Sequence, residues 1–290
     1  MKLIFQINDY KLRGGAAGLG TTLGEMAQAA EENGFESIVV QDHVWQSSYM
    51  GGFEGPMLEC YSTLAYLAAR TTRCRLFALA TAVSYREPAM LAKMVTTLNV
   101  LSGGRGGLGI GVGDFEEEAV GMGLPYSSLS TRYEMLEETL QICRHLWHGD
   151  EQPFHGNHYT LERPLNCPQS LSRPHPPILI AGSGEQKTLR LVAKYGDACN
   201  IRPGPEIPRK LDALRRHCDD IGRDYDEIEK TCAFLFDIGS QGEKTGQLIA
   251  QLRGFSEMGI QTVVGRVVDA DRITPIEIMG REVIPAIADF

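Results

Sequence analysis

Eight short β-forming runs alternate with eight stretches of helical periodicity along the chain, and this alternation constrains the fold more than any other feature. The strand runs are 3–7, 37–41, 76–83, 107–112, 178–181, 197–201, 232–238 and 262–268. The helical stretches are 22–33, 57–70, 89–101, 132–147, 185–195, 208–221, 243–258 and 275–287. Near-continuous apolar runs such as SIVV, PILIA and TVVG mark strands buried on both faces, as in a parallel sheet covered by helices. Glycines at Asn33-Gly34, Tyr195-Gly196 and Met258-Gly259 supply helix stops.

Eight β/α units fit a closed (β/α)8 TIM barrel of the α/β class. The alternative, an open doubly wound sheet, usually shows a nucleotide fingerprint after its first strand, but the turn after Ile7 reads NDYKLRGG. The units run from end to end, so residues 1–290 read as one barrel domain, with no further internal repeat. The rhythm breaks at 150–177, where six of the fourteen prolines fall. This Pro-rich insertion reads either as a wall or lid at the barrel mouth or as a surface hairpin.

Composition removes several functional classes. The 290 residues carry a formal charge of −9 and no block of Lys and Arg, so nucleic acid and anionic membrane surfaces are poor partners. No stretch approaches 18 uninterrupted apolar residues, and MKLIFQIND is too short an apolar run for a secretory signal. Seven cysteines without a CxxC suit a reducing cytoplasm.

In a barrel the reactive groups stand on the loops that follow the strands. After the second strand comes Gln41-Asp42-His43-Val44-Trp45, after the third Thr81-Ala82-Val83-Ser84, and after the fourth Gly111-Val112-Gly113-Asp114. The fifth is followed by Gly182-Ser183-Gly184, and later strand ends offer Asn200, Arg202, Asp237 and Arg266. A His beside an Asp at a strand end is a usable proton-transfer pair, or else a helix cap or core residue. The turn in PILIAGSG, opening a helix, suits a phosphate or simply a tight βα connection. Gly109, Gly111 and Gly113 alternate along GLGIGVGD, which fits close approach of a flat ligand or dense packing. His145 and His148 flank Trp147 at a helix end that runs into Gly149, and His155 and His158 lie in a polar loop with no cysteine or carboxylate at ligand spacing, so no metal site is expected. Glu116-Glu117-Glu118 reads as a solvated first helical turn.

These segments carry a family likeness. EENGFESIVVQDHVW, LSGGR followed by GLGIGVGDFEEEAVGMGLPY, and PPILIAGSG with its downstream GD resemble the luciferase-like oxidoreductases, in particular the branch that uses the deazaflavin coenzyme F420. The resemblance spans nearly the whole chain and implies a (β/α)8 barrel with insertions, usually dimeric. It implies that His43 is the catalytic histidine, that Asp114 is a second proton donor, and that Asp42 touches the deazaflavin. It further implies that Thr81-Ala82-Val83 forms a bulged third strand with a non-prolyl cis peptide behind the ring, beside Gly113. Ala181, Gly182, Ser183 and Gly184 would form the phosphate turn. The expected activity is hydride transfer between F420 and an unidentified small organic substrate. A reduced-FMN monooxygenase and a flavin-binding protein without turnover are the alternatives. Arg202, Arg266 and the insertion could meet an anionic substrate or only water.

Overall fold

The computed structural model describes residues 1–47 and 52–290. Its barrel units begin with β1 (Lys2–Ile7), α1 (Gly15–Glu32), β2 (Ser37–Val40), α2 (Cys60–Arg70), β3 (Arg75–Ala78), β4 (Thr81–Ala82), α3 (Pro88–Leu101) and β5 (Leu108–Gly111). Then come α4 (Glu116–Gly121), α5 (Leu129–Trp147), β6 (Phe154–His155), β7 (Thr160–Leu161), β8 (Ile178–Ala181), α6 (Thr188–Tyr195) and β9 (Ala198–Ile201). The last units are α7 (Ile207–Ile221), β10 (Glu229–Phe236), α8 (Thr245–Glu257) and β11 (Thr262–Val267).

Nine strands form one sheet in the order β3-β2-β1-β11-β10-β9-β8-β5-β4, with parallel pairings throughout. They occupy eight barrel positions, because β3 and β4 are the lower and upper halves of one interrupted strand. Leu76 pairs with Gly106, through Leu76 N–H to Arg105 O and Gly107 N–H to Leu76 O, both 3.0 Å, and closes the ring. The expected TIM barrel is therefore the fold observed. Ile4, Val39, Phe77, Leu79, Leu179, Ala198 and Val264 fill the barrel interior as one apolar layer, and the larger core lies between the strands and the surrounding helices.

Two helices differ from the periodicity. α1 begins at Gly15 rather than at residue 22, through a glycine-rich turn that lacks helical propensity. Packing compensates: at Gly24 a Cβ would stand 2.8 Å from Arg70 Nε and 3.0 Å from the Tyr66 hydroxyl, so the missing side chain lets α1 approach α2. The expected helix over 275–287 divides into α9 (Thr274–Ile278), a π-helical turn over Met279–Val283, and α10 (Ile284–Ala286). Pro285 has no N–H for the carbonyl four residues back, which disfavours a continuous α-helical ladder.

The insertion over 150–177 is not a lid. A short antiparallel hairpin, β6 with β7, lies against α5, where Glu138 accepts the N–H groups of Asn157, His158 and Tyr159. The remainder runs beneath the barrel, with the N–H groups of Leu171 and Ser172 on Asn99 Oδ1 and Ser172 Oγ on Gly104 O. A segment that leads into a parallel strand arrives at its N-terminal end, opposite the mouth. All seven cysteines are free, six of them buried. Among the described residues no helix is long and apolar enough to cross a membrane.

Candidate active site

Above the apolar layer, at the C-terminal ends of the strands, lies a cavity of about 440 Å³. Of the residues expected there, Asp42, His43, Ala82, Gly113, Asp114, Ala181 and Gly182 line it. Thr81 and Val83 stand behind that wall, fully buried, and Ser183 and Gly184 continue the turn beyond it.

His43 follows β2 and keeps 15% of its side chain exposed. Its Nδ1 lies 2.6 Å from Glu118 Oε2, and its ring meets Phe115 edge-on at 4.5 Å. Glu118 was expected in a solvated turn, but its side chain is only 1% exposed. The second oxygen, Oε1, accepts the N–H of Val44 and, at 2.8 Å, that of Trp45, while the Tyr85 hydroxyl donates to Oε2 at 2.6 Å. One carboxylate thus ties α4, the loop after β2 and the loop after β4 together. Burial pushes the Glu118 carboxyl up, but hydrogen bonds from His43, Tyr85 and Trp45 outweigh it and hold the group below its ordinary value. Burial and the neighbouring carboxylate push the Tyr85 phenol up, so it stays protonated.

Asp42 is also buried, but its partner is Arg86 rather than His43. Arg86 Nη1 and Nη2 reach Oδ2 and Oδ1 at 2.5 and 3.1 Å, and Nη2 also meets Glu59 at 2.7 Å. The guanidinium lies 4.8 Å from the centre of the Tyr61 ring, whose hydroxyl meets Thr81 Oγ1 at 2.9 Å. Burial pushes the Asp42 carboxyl up against the opposing pull of Arg86. The pair was legible in part, since an acid and an arginine follow strands that are neighbours in any barrel.

A non-prolyl cis peptide lies at Leu79–Ala80, between β3 and β4, immediately before the Thr81-Ala82-Val83 segment where it was expected. Leu79 and Ala80 both line the cavity. The glycines of GLGIGVGD divide into two roles. At Gly109 a Cβ would stand 1.9 Å from Ala78 O, so that glycine serves strand packing. Gly113 has φ +75° and would place a Cβ 2.9 Å from that of Ala82, across the cavity wall.

Gly182 adopts φ +131°, a conformation that L side chains rarely take. Beyond it, Ser183 Oγ accepts the Arg202 N–H at 2.7 Å, and Lys210 Nζ donates to Ser183 O at 3.1 Å. The turn thus runs on through 185–187 to α6, with the Lys210 ammonium alongside it. Asn8 Oδ1, Gln41 Oε1 and Ser84 Oγ are buried without partners, and all three residues line the cavity. Such atoms suit a ligand with a hydrogen-bonding edge.

Most of the remaining candidates lie elsewhere. Arg266 pairs with Asp9 at 3.4 Å, and Asp237 with Lys244 at 2.6 Å. Asn200 lines the cavity and donates to Thr231 Oγ1 at 2.9 Å. His145 Nε2 contacts Gln152 O at 2.9 Å, His148 Nδ1 contacts Arg144 O at 2.5 Å, and His158 pairs with Glu134 at 3.0 Å. The described residues contain no group of three side chains able to hold a metal ion.

The profile of the luciferase-like monooxygenase family matches residues 11–261. An F420-dependent glucose-6-phosphate dehydrogenase of Segniliparus rotundus is 30% identical over 217 residues, covering 71% of this chain. The matched segment spans 61% of that relative's length. Two solved structures share the fold at 18% identity. An F420-dependent secondary alcohol dehydrogenase, solved with an F420-acetone adduct, superposes with a TM-score of 0.82 over 99% of both chains. A monooxygenase from Streptomyces bottropensis superposes with a TM-score of 0.81 over 98% of this chain and 99% of its own.

Proposed function

The chain belongs to the luciferase-like monooxygenase family, and from that membership we propose that it is an F420-dependent oxidoreductase acting on a small organic substrate. The observation that carries this reading is the placement of His43 in the cavity wall, held at Nδ1 by buried Glu118 and open at Nε2. Among the described residues Nε2 has no protein partner. The F420-dependent activity named for the Segniliparus rotundus relative supports the coenzyme assignment. The partnerless edge of Asn8, Gln41 and Ser84 fits a deazaflavin ring, and the turn Gly182-Ser183-Gly184 with Lys210 fits its phosphate.

Bound F420 supplies a carbon that accepts or returns a hydride. When a substrate alcohol gives up that hydride and becomes a carbonyl, its hydroxyl proton passes to His43 Nε2; the reverse reaction takes the proton back. Asp114, at the same wall, is the second proton-transfer group. Asp42, fixed by Arg86, would orient the loop after β2 that receives the coenzyme, and Thr81, Ala82 and Val83 would help to hold its ring. The proposal includes a cytoplasmic homodimer, for which exposed Tyr66 on α2 and Met90 and Leu101 on neighbouring α3 supply apolar surface.

Fluorescence titration against F420 and FMN tests the coenzyme. We expect micromolar or tighter affinity for F420 and at least tenfold weaker FMN binding, a gap of about 1.4 kcal/mol. In His43→Ala the coenzyme should still bind within a few fold while turnover falls by roughly 10² to 10⁴. Tight FMN binding with oxygen consumption on reduced FMN would reassign the chain to the monooxygenases, and unimpaired turnover in His43→Ala would move proton transfer to Asp114.

A further inference from the structure

We propose that Glu118 is a positioning residue that selects the tautomer of His43, keeping the proton on Nδ1 and leaving Nε2 bare toward the cavity. The inference rests on the reading of His43 as the proton-transfer group, but it is decided by the ring itself.

The argument is one of donors and acceptors. Glu118 receives four contacts, two on each oxygen: Val44 N and Trp45 N on Oε1, His43 Nδ1 and the Tyr85 hydroxyl on Oε2. An ionised carboxylate has about four acceptor sites and no proton to give. The backbone N–H groups can only donate, and a phenol facing a carboxylate donates as well. The hydrogen in the 2.6 Å contact to His43 must therefore come from the imidazole. Neutral His43 then carries its proton on Nδ1, so Nε2 is a base. Once protonated, Nε2 becomes the acid for the return step, while Nδ1–H remains on Glu118.

Among the described residues, no other polar group is placed to make this choice. Phe115 meets the imidazole in a T-shaped ring contact, Asp42 is engaged by Arg86, and Asp114 is an exposed residue of the cavity rim. Glu118 is buried and absent from the cavity lining, so it reaches the cavity through the two lining side chains it holds, His43 and Tyr85.

Glu118→Gln gives a specific outcome. The N–H groups of Val44 and Trp45 require the amide carbonyl on their side, which turns the amide NH2 toward His43 Nδ1 and Tyr85. A donor facing Nδ1 moves the ring proton to Nε2, the wrong tautomer for a base. Tyr85→Phe removes another hydrogen bond from the same carboxylate oxygen and leaves the tautomer as it was.

The test is ¹⁵N NMR of histidine-labelled protein without coenzyme, at about pH 9, above the ordinary imidazole range. His43 is assigned by the resonances lost in His43→Gln. We expect the parent and Tyr85→Phe to show protonated Nδ1 and unprotonated Nε2, and Glu118→Gln to exchange the two. Protonated Nε2 in the parent, or an unchanged ring in folded Glu118→Gln, overturns the assignment. If Glu118→Gln does not fold, the parent and Tyr85→Phe spectra decide. A chain that binds no F420 would defeat the proposed function while leaving this result readable.

Discussion

Arg86 grips Asp42 with both ends of its guanidinium, Nη1 on Oδ2 at 2.5 Å and Nη2 on Oδ1 at 3.1 Å, while Asp42 keeps only 2% of its side chain exposed. A carboxylate this deep is tolerable because the fork neutralises it. Removing the fork leaves a buried charge without its counterion. Arg86→Met should therefore lower the unfolding free energy by about 3–5 kcal/mol, measured in urea at neutral pH. Arg86→Met with Asp42→Asn should recover part of the loss. A single-variant cost below about 1 kcal/mol, the range of an exposed pair, would show that the fork contributes little.

Two glycines should answer substitution in different currencies. At Gly109 a Cβ meets the Ala78 carbonyl at 1.9 Å, a backbone atom that cannot step aside. Gly109→Ala should cost stability at or above the roughly 1–3 kcal/mol usual for overpacking. At Gly184 a Cβ meets the Thr188 and Tyr133 hydroxyls at 3.0 Å. Gly184→Val should stay folded and weaken coenzyme binding by about 1–3 kcal/mol, as a lost hydrogen bond to an anion would. Unchanged affinity in folded Gly184→Val would return that turn to a purely architectural role.

Glu31 gives a pH dependence with a definite sign. Its carboxylate closes α1 onto the approach to β3 by accepting the N–H groups of Thr72, Arg73 and Cys74. Burial pushes the carboxyl up, yet these hydrogen bonds prevail and hold it below its ordinary value. A depressed acid stabilises the fold above its unfolded pKa, and that contribution is lost as pH falls through the folded value. The stability gap between parent and Glu31→Gln should thus be full near neutrality and shrink below about pH 4.5. Denaturation midpoints at both ends of that window measure it, and a gap that widens in acid would contradict the assignment.

The barrel was legible because its period repeats: each of the eight expected strands overlaps an observed one, and 178–181 agrees at both ends. His43 and Asp114 were legible because strand ends in a barrel face one mouth. Glu118 was not. Three consecutive glutamates look alike in sequence, and only the loop at Val44 and Trp45, brought over α4 by the closed ring, distinguishes the third. Arg105 of LSGGR was likewise opaque. The fold uses it to cap α2, with Nη1 and Nη2 on Ala68 O, Thr71 O and Oγ1, and Cys74 O at 2.8–3.0 Å. Of the two readings of the insertion the surface hairpin is the one observed, and proline density alone could not choose, because it reports irregular backbone without saying at which end of the barrel it lies.

The interrupted third strand has a consequence for how such a molecule can diversify. Along that arc the strands and their ends bring Leu79, Ala80, Ala82, Gly111, Gly113, Ala181 and Gly182 to the cavity wall, mostly methyl groups and bare peptide, with the side chains of Ser84, Tyr85, Asp114 and Phe115 on the loops above. Mutation has little to exchange in that wall, because a peptide group stays the same whichever residue carries it. Farther round the ring, Asn200 and Ala233 stand on β9 and β10, with exposed Leu235 near the end of β10. Inheritance is therefore uneven around the ring: one arc is fixed by the course of the chain, and the other can be rewritten one codon at a time.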